Sequence, residues 1–244
     1  LGVLDAVQNI VDTTLVRAIT TYVVEHADEI VPSEFLFLFD TGITGAQLHE
    51  DLISILDIVR EVVESEIYKA VNDENFELEG ISEHINTILD KVLHLNILSI
   101  DTAYVVYNAL LMAGIEVSLE ALEAVDFEAD YAKIYEIIEI IEKVLVENAG
   151  IRTYYDLTVA DLSLENELLV SNENLHEVLN IVSNLVNLEL FSVLFTPAYE
   201  QMVSPMLGES LDSTLLPLTD LYEYPAELLV SDLNSIIEAI HGLV

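Results

Sequence analysis

Apolar residues recur at three- and four-residue intervals along most of this chain, and the few prolines and glycines fall where such runs stop. That period predicts helices nearly throughout. One apolar stripe runs from Val3 to about Ile30 and ends near Pro32. Thr44 with Gln47 forms a capping box that opens a helix expected to reach about Val71. Ser82 opens the next, Asp101 caps one that stops at Gly114, and Ser118 caps a short one. A long helix is expected from about Glu128 to Asn148, stopped by Gly150. Ser171 or Asn172 caps another that reaches about Leu194, with looser chain after Pro197 and Pro205, and Pro225 suits the first position of a final helix. Phe35 to Phe39 and Phe76 to Glu79 read as short extended pieces.

A single helical pattern returns six times, beginning at Val3, Ile55, Ile88, Ile137, Val178 and Ile236: VLDAVQNI, ILDIVREV, ILDKVLHL, IIEIIEKV, VLNIVSNL and IIEAIHGL. Two copies continue alike, as Leu95-Asn96-Ile97-Leu98-Ser99 and Leu188-Glu189-Leu190-Phe191-Ser192. The spacing is irregular and falls short of a strict solenoid period. Any amphipathic helix offers apolar residues at these offsets, whereas a degenerate repeat would leave each unit an open apolar face for its neighbour to cover. On the repeat reading the chain looks cut from a longer tandem protein at equivalent helices, with both terminal helices only partly covered. The expected fold is all-α, an irregular bundle or superhelical repeat array of about seven to nine helices.

Composition adds a strong charge. The 244 residues carry 45 Asp and Glu against 7 Lys and Arg, a formal charge of -38, yet 52% are hydrophobic. So apolar a chain should bury a core despite its charge. Its surface repels nucleic acid and anionic membranes. After Arg152 there is no Lys or Arg, so the chain divides by composition into residues 1–150 and 151–244, two helical regions of what could still be one domain. With no Cys, disulfides, thiolate zinc sites and thiol nucleophiles are excluded. No targeting segment or membrane-spanning run is visible.

Phe35-Leu36-Phe37-Leu38-Phe39-Asp40-Thr41-Gly42-Ile43-Thr44 is the segment closest to a catalytic signature. Its Asp-Thr-Gly resembles the motif of retroviral and pepsin-like aspartic proteases, in which Asp40 would share a proton with a twin carboxylate. Ile43 departs from that pattern, and no second Asp-Thr/Ser-Gly exists. The apolar run followed by Asp-x-x-x-Thr also resembles the first motif of haloacid-dehalogenase-type phosphatases, where Asp40 would be the nucleophile. Gly42 stands where those enzymes place a second acid. Otherwise Gly42 and Gly45 simply make a turn before a capped helix.

Asp73, Asn75, Glu77 and Glu79 alternate before Gly80 and are candidate ligands of a weak divalent cation such as calcium, although Asn86 occupies the place where an EF-hand loop needs a Glu. The six His show no zinc spacing, and there is no phosphate or dinucleotide loop. Phe191, Phe195 and Tyr199 fall at i, i+4 and i+8 and read as core or as a partner seam.

These observations predict a non-enzymatic structural or interaction segment, part of a larger secreted or cell-surface helical-repeat or filament-forming protein. It would work by packing helical seams against copies or a protein partner, with no cofactor beyond a weakly held divalent ion. The alternative is a helical carrier that encloses an apolar ligand such as a lipid. The remote one is a hydrolase built on Asp40.

Overall fold

A computed structural model describes residues 2–71, 73–159, 171–198 and 226–243. Among them every regular element is helical, and pairing between extended segments is confined to one isolated antiparallel bridge, Glu77 with Thr153. The fold is all-α. All six copies of the recurrent pattern begin on helices, and those from Ile88 and Ile236 run two residues past the helix end.

The helices are more numerous and shorter than the apolar stripes predict. The stripe from Val3 to Ile30 divides into α1 (Gly2–Val11), α2 (Thr14–Glu25) and α3 (Ala27–Ile30). Phe35 to Phe39 is not extended, because Ser33–Leu38 forms a 3-10 helix. The capping box is present: Thr44 Oγ1 accepts from the N–H of Gln47 and the Gln47 side chain accepts from the N–H of Thr44, opening α4 (Gly45–Glu64). α4 stops short of Val71 because Ser65 turns its hydroxyl onto the Glu61 carbonyl, 2.7 Å away, and Glu66 takes a left-handed φ of 57°. Ile67–Val71 then forms a 3-10 turn.

α5 (Ile81–Leu93) starts after Gly80 and is followed by α6 (Asn96–Ser99) and α7 (Thr102–Met112), the last with its Tyr104 N–H bonded to Asp101. Ser118 caps α8 (Leu119–Glu123) and Asp126 caps α9 (Phe127–Glu142), which loosens into a π turn over Lys143–Asn148 before Gly150. α10 is Tyr154–Val159 and Ser171 caps α11 (Asn172–Val186). α12 (Glu189–Ala198) runs past Pro197, and α13 is Ala226–His241. Pro205 and Pro225 lie outside the described residues.

The chain packs as two units, Leu1–Val105 with Gly150–Ala160 and Val106–Ala149 with Asp161–Val244. In the first unit α4 is the hub, packed against α1, α2, α5 and α6. Its core includes Ile43, Leu78, Leu95, Ala103 and Ile151. Residues 74–78 are bonded to 152–155 through Leu78 N–H to Arg152 O (2.9 Å), Tyr154 N–H to Phe76 O (3.0 Å) and Tyr155 N–H to Glu74 O (2.8 Å); of the extended piece expected over Phe76 to Glu79, Glu79 lies in a turn. In the second unit α11 packs between α9 and α13, with α12 alongside, over Leu122, Ile137, Ile140, Leu179, Val186 and Ile237.

Candidate interaction surface and buried cap sites

Three of the helix breaks that the apolar pattern does not show, those after α1, α5 and α11, share one cause. At each, a polar side chain of another helix takes backbone groups that a continuous helix would have used. Asp51, only 2% exposed on α4, accepts from the N–H of Asn96 (2.7 Å), the Asn96 side-chain amide (2.9 Å) and the N–H of Ile97 (2.8 Å), so α6 must begin there. Asp130, 3% exposed on α9, accepts from the N–H groups of Glu189 and Leu190, both at 2.8 Å, and so opens α12. α11 and α12 are bent by 67° at that point. His49 Nε2 donates to the Val11 carbonyl at 2.8 Å and closes α1.

The two aspartate sites correspond in detail. The most buried apolar residues, Ile43 and Leu122, each precede their aspartate by eight positions (51-43 and 130-122). The residues that end the preceding helices, His94 (φ -93°, ψ 8°) and Asn187 (φ -91°, ψ 7°), share one backbone conformation. The capped segments are the two alike continuations, Leu95 to Ser99 and Leu188 to Ser192. Lys133 distinguishes the second site by donating to Asp130 (3.3 Å) and to the Asn187 carbonyl (2.6 Å). A carboxylate that accepts several N–H groups in a dry setting is a strong, directional fastener.

The outward faces are less well covered. Among the described residues, thirteen apolar residues are buried while twenty-one large apolar side chains stand exposed. Single exposed apolar residues are ordinary; aligned ones are not. α1 turns Leu4, Gln8 and Val11 inward and leaves Val3 (77% exposed), Val7 and Ile10 (61%) in a row at i, i+4 and i+7. α2 repeats this with Leu15 (68%), Ile19 and Tyr22, whose ring stacks on His26 at 4.2 Å. α11 carries a third, Val178, Val182 and Leu185; Ile236 of α13 and Leu243, two residues past its end, are exposed as well. Phe191 and Phe195 of the expected seam are half-buried with ring centroids 5.5 Å apart on α12, and Tyr199 lies outside the described residues.

Asp73, Asn75, Glu77 and Glu79 line one surface cleft of about 370 Å³, together with Lys69 and His84. Asp73 Oδ1 accepts from the Asn75 N–H at 2.9 Å, a turn-forming bond. The Lys69 ammonium is paired with Glu66 at 2.6 Å, and that contact holds its pKa above the usual lysine value. His84 Nδ1 lies 2.9 Å from Glu61. Among the described residues no three His, Asp or Glu side chains come together as a metal-binding set. Asp40 is exposed in the turn after the 3-10 helix, so the strand that leads into the nucleophile or dyad in both resembling motifs is replaced here by a helical turn.

One arrangement had no signal in sequence. His176 of α11 and His241 of α13, sixty-five positions apart, face each other with Nδ1 atoms separated by 3.1 Å. No helix among the described residues is long and apolar enough to cross a membrane. No known protein family, curated protein or solved structure matches the chain.

Proposed function

We propose that the chain is a non-enzymatic structural and interaction segment of a secreted or surface-displayed helical-repeat protein, which works by packing its open helical faces against copies of itself. The observation that carries this is the set of aligned apolar rows on α1, α2 and α11. The paired cap sites at Asp51 and Asp130 support a repeat origin, since related helices already cover one another inside each unit by a common device. Copies are the favoured occupant because the rows on α1 and α11 lie in the same recurrent pattern as the helices that pack internally.

Magnitudes make this association conditional. Covering the six row residues of α1 and α2 on each of two copies involves twelve side chains. At roughly 1 kcal/mol for each already half-covered chain, the gain is about 12 kcal/mol, within the range of about 4–15 kcal/mol that association costs. A charge of -38 on each copy opposes contact until salt or divalent ions screen it. Calcium enters this reading as a counterion for the acidic surface, and an ion-rich exterior is the setting that suits it. Light scattering on the intact chain, first at low ionic strength and then with added NaCl or CaCl2, tests the proposal. The expected result is a mass that rises with ionic strength; a monomer under every condition overturns it.

A further inference from the structure

The facing imidazoles of His176 and His241 carry an inference that is independent of the association reading. Two Nδ1 atoms 3.1 Å apart need a proton or a cation between them, because two lone pairs at that distance repel. The rings lie with centroids 5.1 Å apart and planes tilted by 31°, and both side chains are half-buried, so the pair remains open to water. With zinc–nitrogen bonds of about 2.05 Å, this separation corresponds to an N–metal–N angle of roughly 98°, between octahedral and tetrahedral values. Imidazole nitrogen is a preferred ligand of zinc, copper and nickel, whereas calcium and magnesium take oxygen.

The surroundings favour a cation. Glu177 follows His176 and is held by Lys143 and by the Asn180 amide, while Glu238 is exposed one turn before His241. Lys143 is already engaged by Glu177. We propose that His176 and His241 form a two-imidazole clamp for a zinc-type transition-metal ion, with water in the remaining positions, that fastens α13 to α11. Both rings would carry their remaining proton on Nε2 when the ion is bound.

The test uses the whole chain and ZnCl2. Zinc is expected to raise Tm and to saturate at one equivalent, and CaCl2 at the same concentration is not expected to reproduce this. His176→Gln and His241→Gln should each weaken zinc binding by at least the roughly tenfold that loss of a mere outer-shell partner costs. Nitrogen NMR of the native chain supplies a readout that needs no variant: the Nδ1 resonances of these two histidines should move together on zinc addition, while those of His26, His49, His84 and His94 stay in place. A calcium-like response, a zinc effect that survives both substitutions, or movement of other imidazoles alone overturns the clamp and leaves a shared proton as the link.

Discussion

Asp51→Ala is expected to be among the most damaging single substitutions of a surface-independent kind in the first unit. It deletes a carboxylate that is 2% exposed and leaves the N–H groups of Asn96 and Ile97 and the Asn96 amide without their acceptor. A buried donor left unpaired costs about 1–3 kcal/mol, and loss of a helix cap costs about 0.5–2 kcal/mol. Water entering the vacated space offsets part of this, so the expected loss is about 3 kcal/mol against a typical domain stability of about 5–15 kcal/mol. Asp51→Asn should cost less, about 2 kcal/mol, because one oxygen remains but an NH2 now faces a backbone N–H. Urea unfolding followed by helical circular dichroism reads the change as a lower midpoint at constant slope. Hydrogen exchange at Asn96 and Ile97 should accelerate by roughly a hundredfold, the equivalent of that free energy. Glu50→Gln is the control, since it removes the same charge from an exposed neighbour on α4. Both changes relieve repulsion on a chain of charge -38, so destabilisation by the first alone isolates the cap. An Asp51→Ala chain within about 0.5 kcal/mol of native would refute the reasoning.

Three further outcomes follow from the same packing. Gly45→Ala should destabilise the first unit by about 1–3 kcal/mol, because a Cβ there would lie 2.4 Å from the Thr21 Cα, and backbone cannot swing aside; thermal unfolding reads it. Gln8→Leu should stabilise by about 1 kcal/mol in urea, since the Gln8 side-chain oxygen is buried without a partner. The hydrogen bond from Lys143 holds the Glu177 carboxyl below its ordinary value of 4.5, so its stabilisation is complete above that pH and is lost as pH falls through the depressed value. Native chain and Glu177→Gln should therefore differ in unfolding midpoint at neutral pH and converge on acidification; a gap that widens in acid contradicts the assignment.

Local chemistry was legible in the sequence. Thr44 with Gln47, Asp101, Ser118, Ser171, Gly114 and Gly150 act on groups within a few residues of themselves, and the helix limits they imply are close to those observed. The breaks after α1, α5 and α11 were not legible, because His49, Asp51 and Asp130 act across 38, 45 and 59 positions. A signal existed all the same: Asp51 and Asp130 sit within apolar stripes, between Leu48 and Ile55 and between Phe127 and Ile134, where an acid must find buried donors. The matching continuations Leu95 to Ser99 and Leu188 to Ser192 marked where those donors lie. Phe35 to Phe39 misled because five alternating large residues suit a strand, yet Pro32 and Ser33 start a tight helical turn. Nothing in spacing pointed to His176 and His241, since their meeting depends on how α13 lies against α11.

The most direct test of the association account is sedimentation equilibrium at about 1 M NaCl, where the Debye length is roughly 3 Å, on the native chain and on Val7→Glu with Ile19→Glu. Both positions are exposed, so the double variant should keep its helix content and unfolding midpoint. The account predicts a dimer or larger species for the native chain and a monomer for the variant. Equal masses for the two would contradict it.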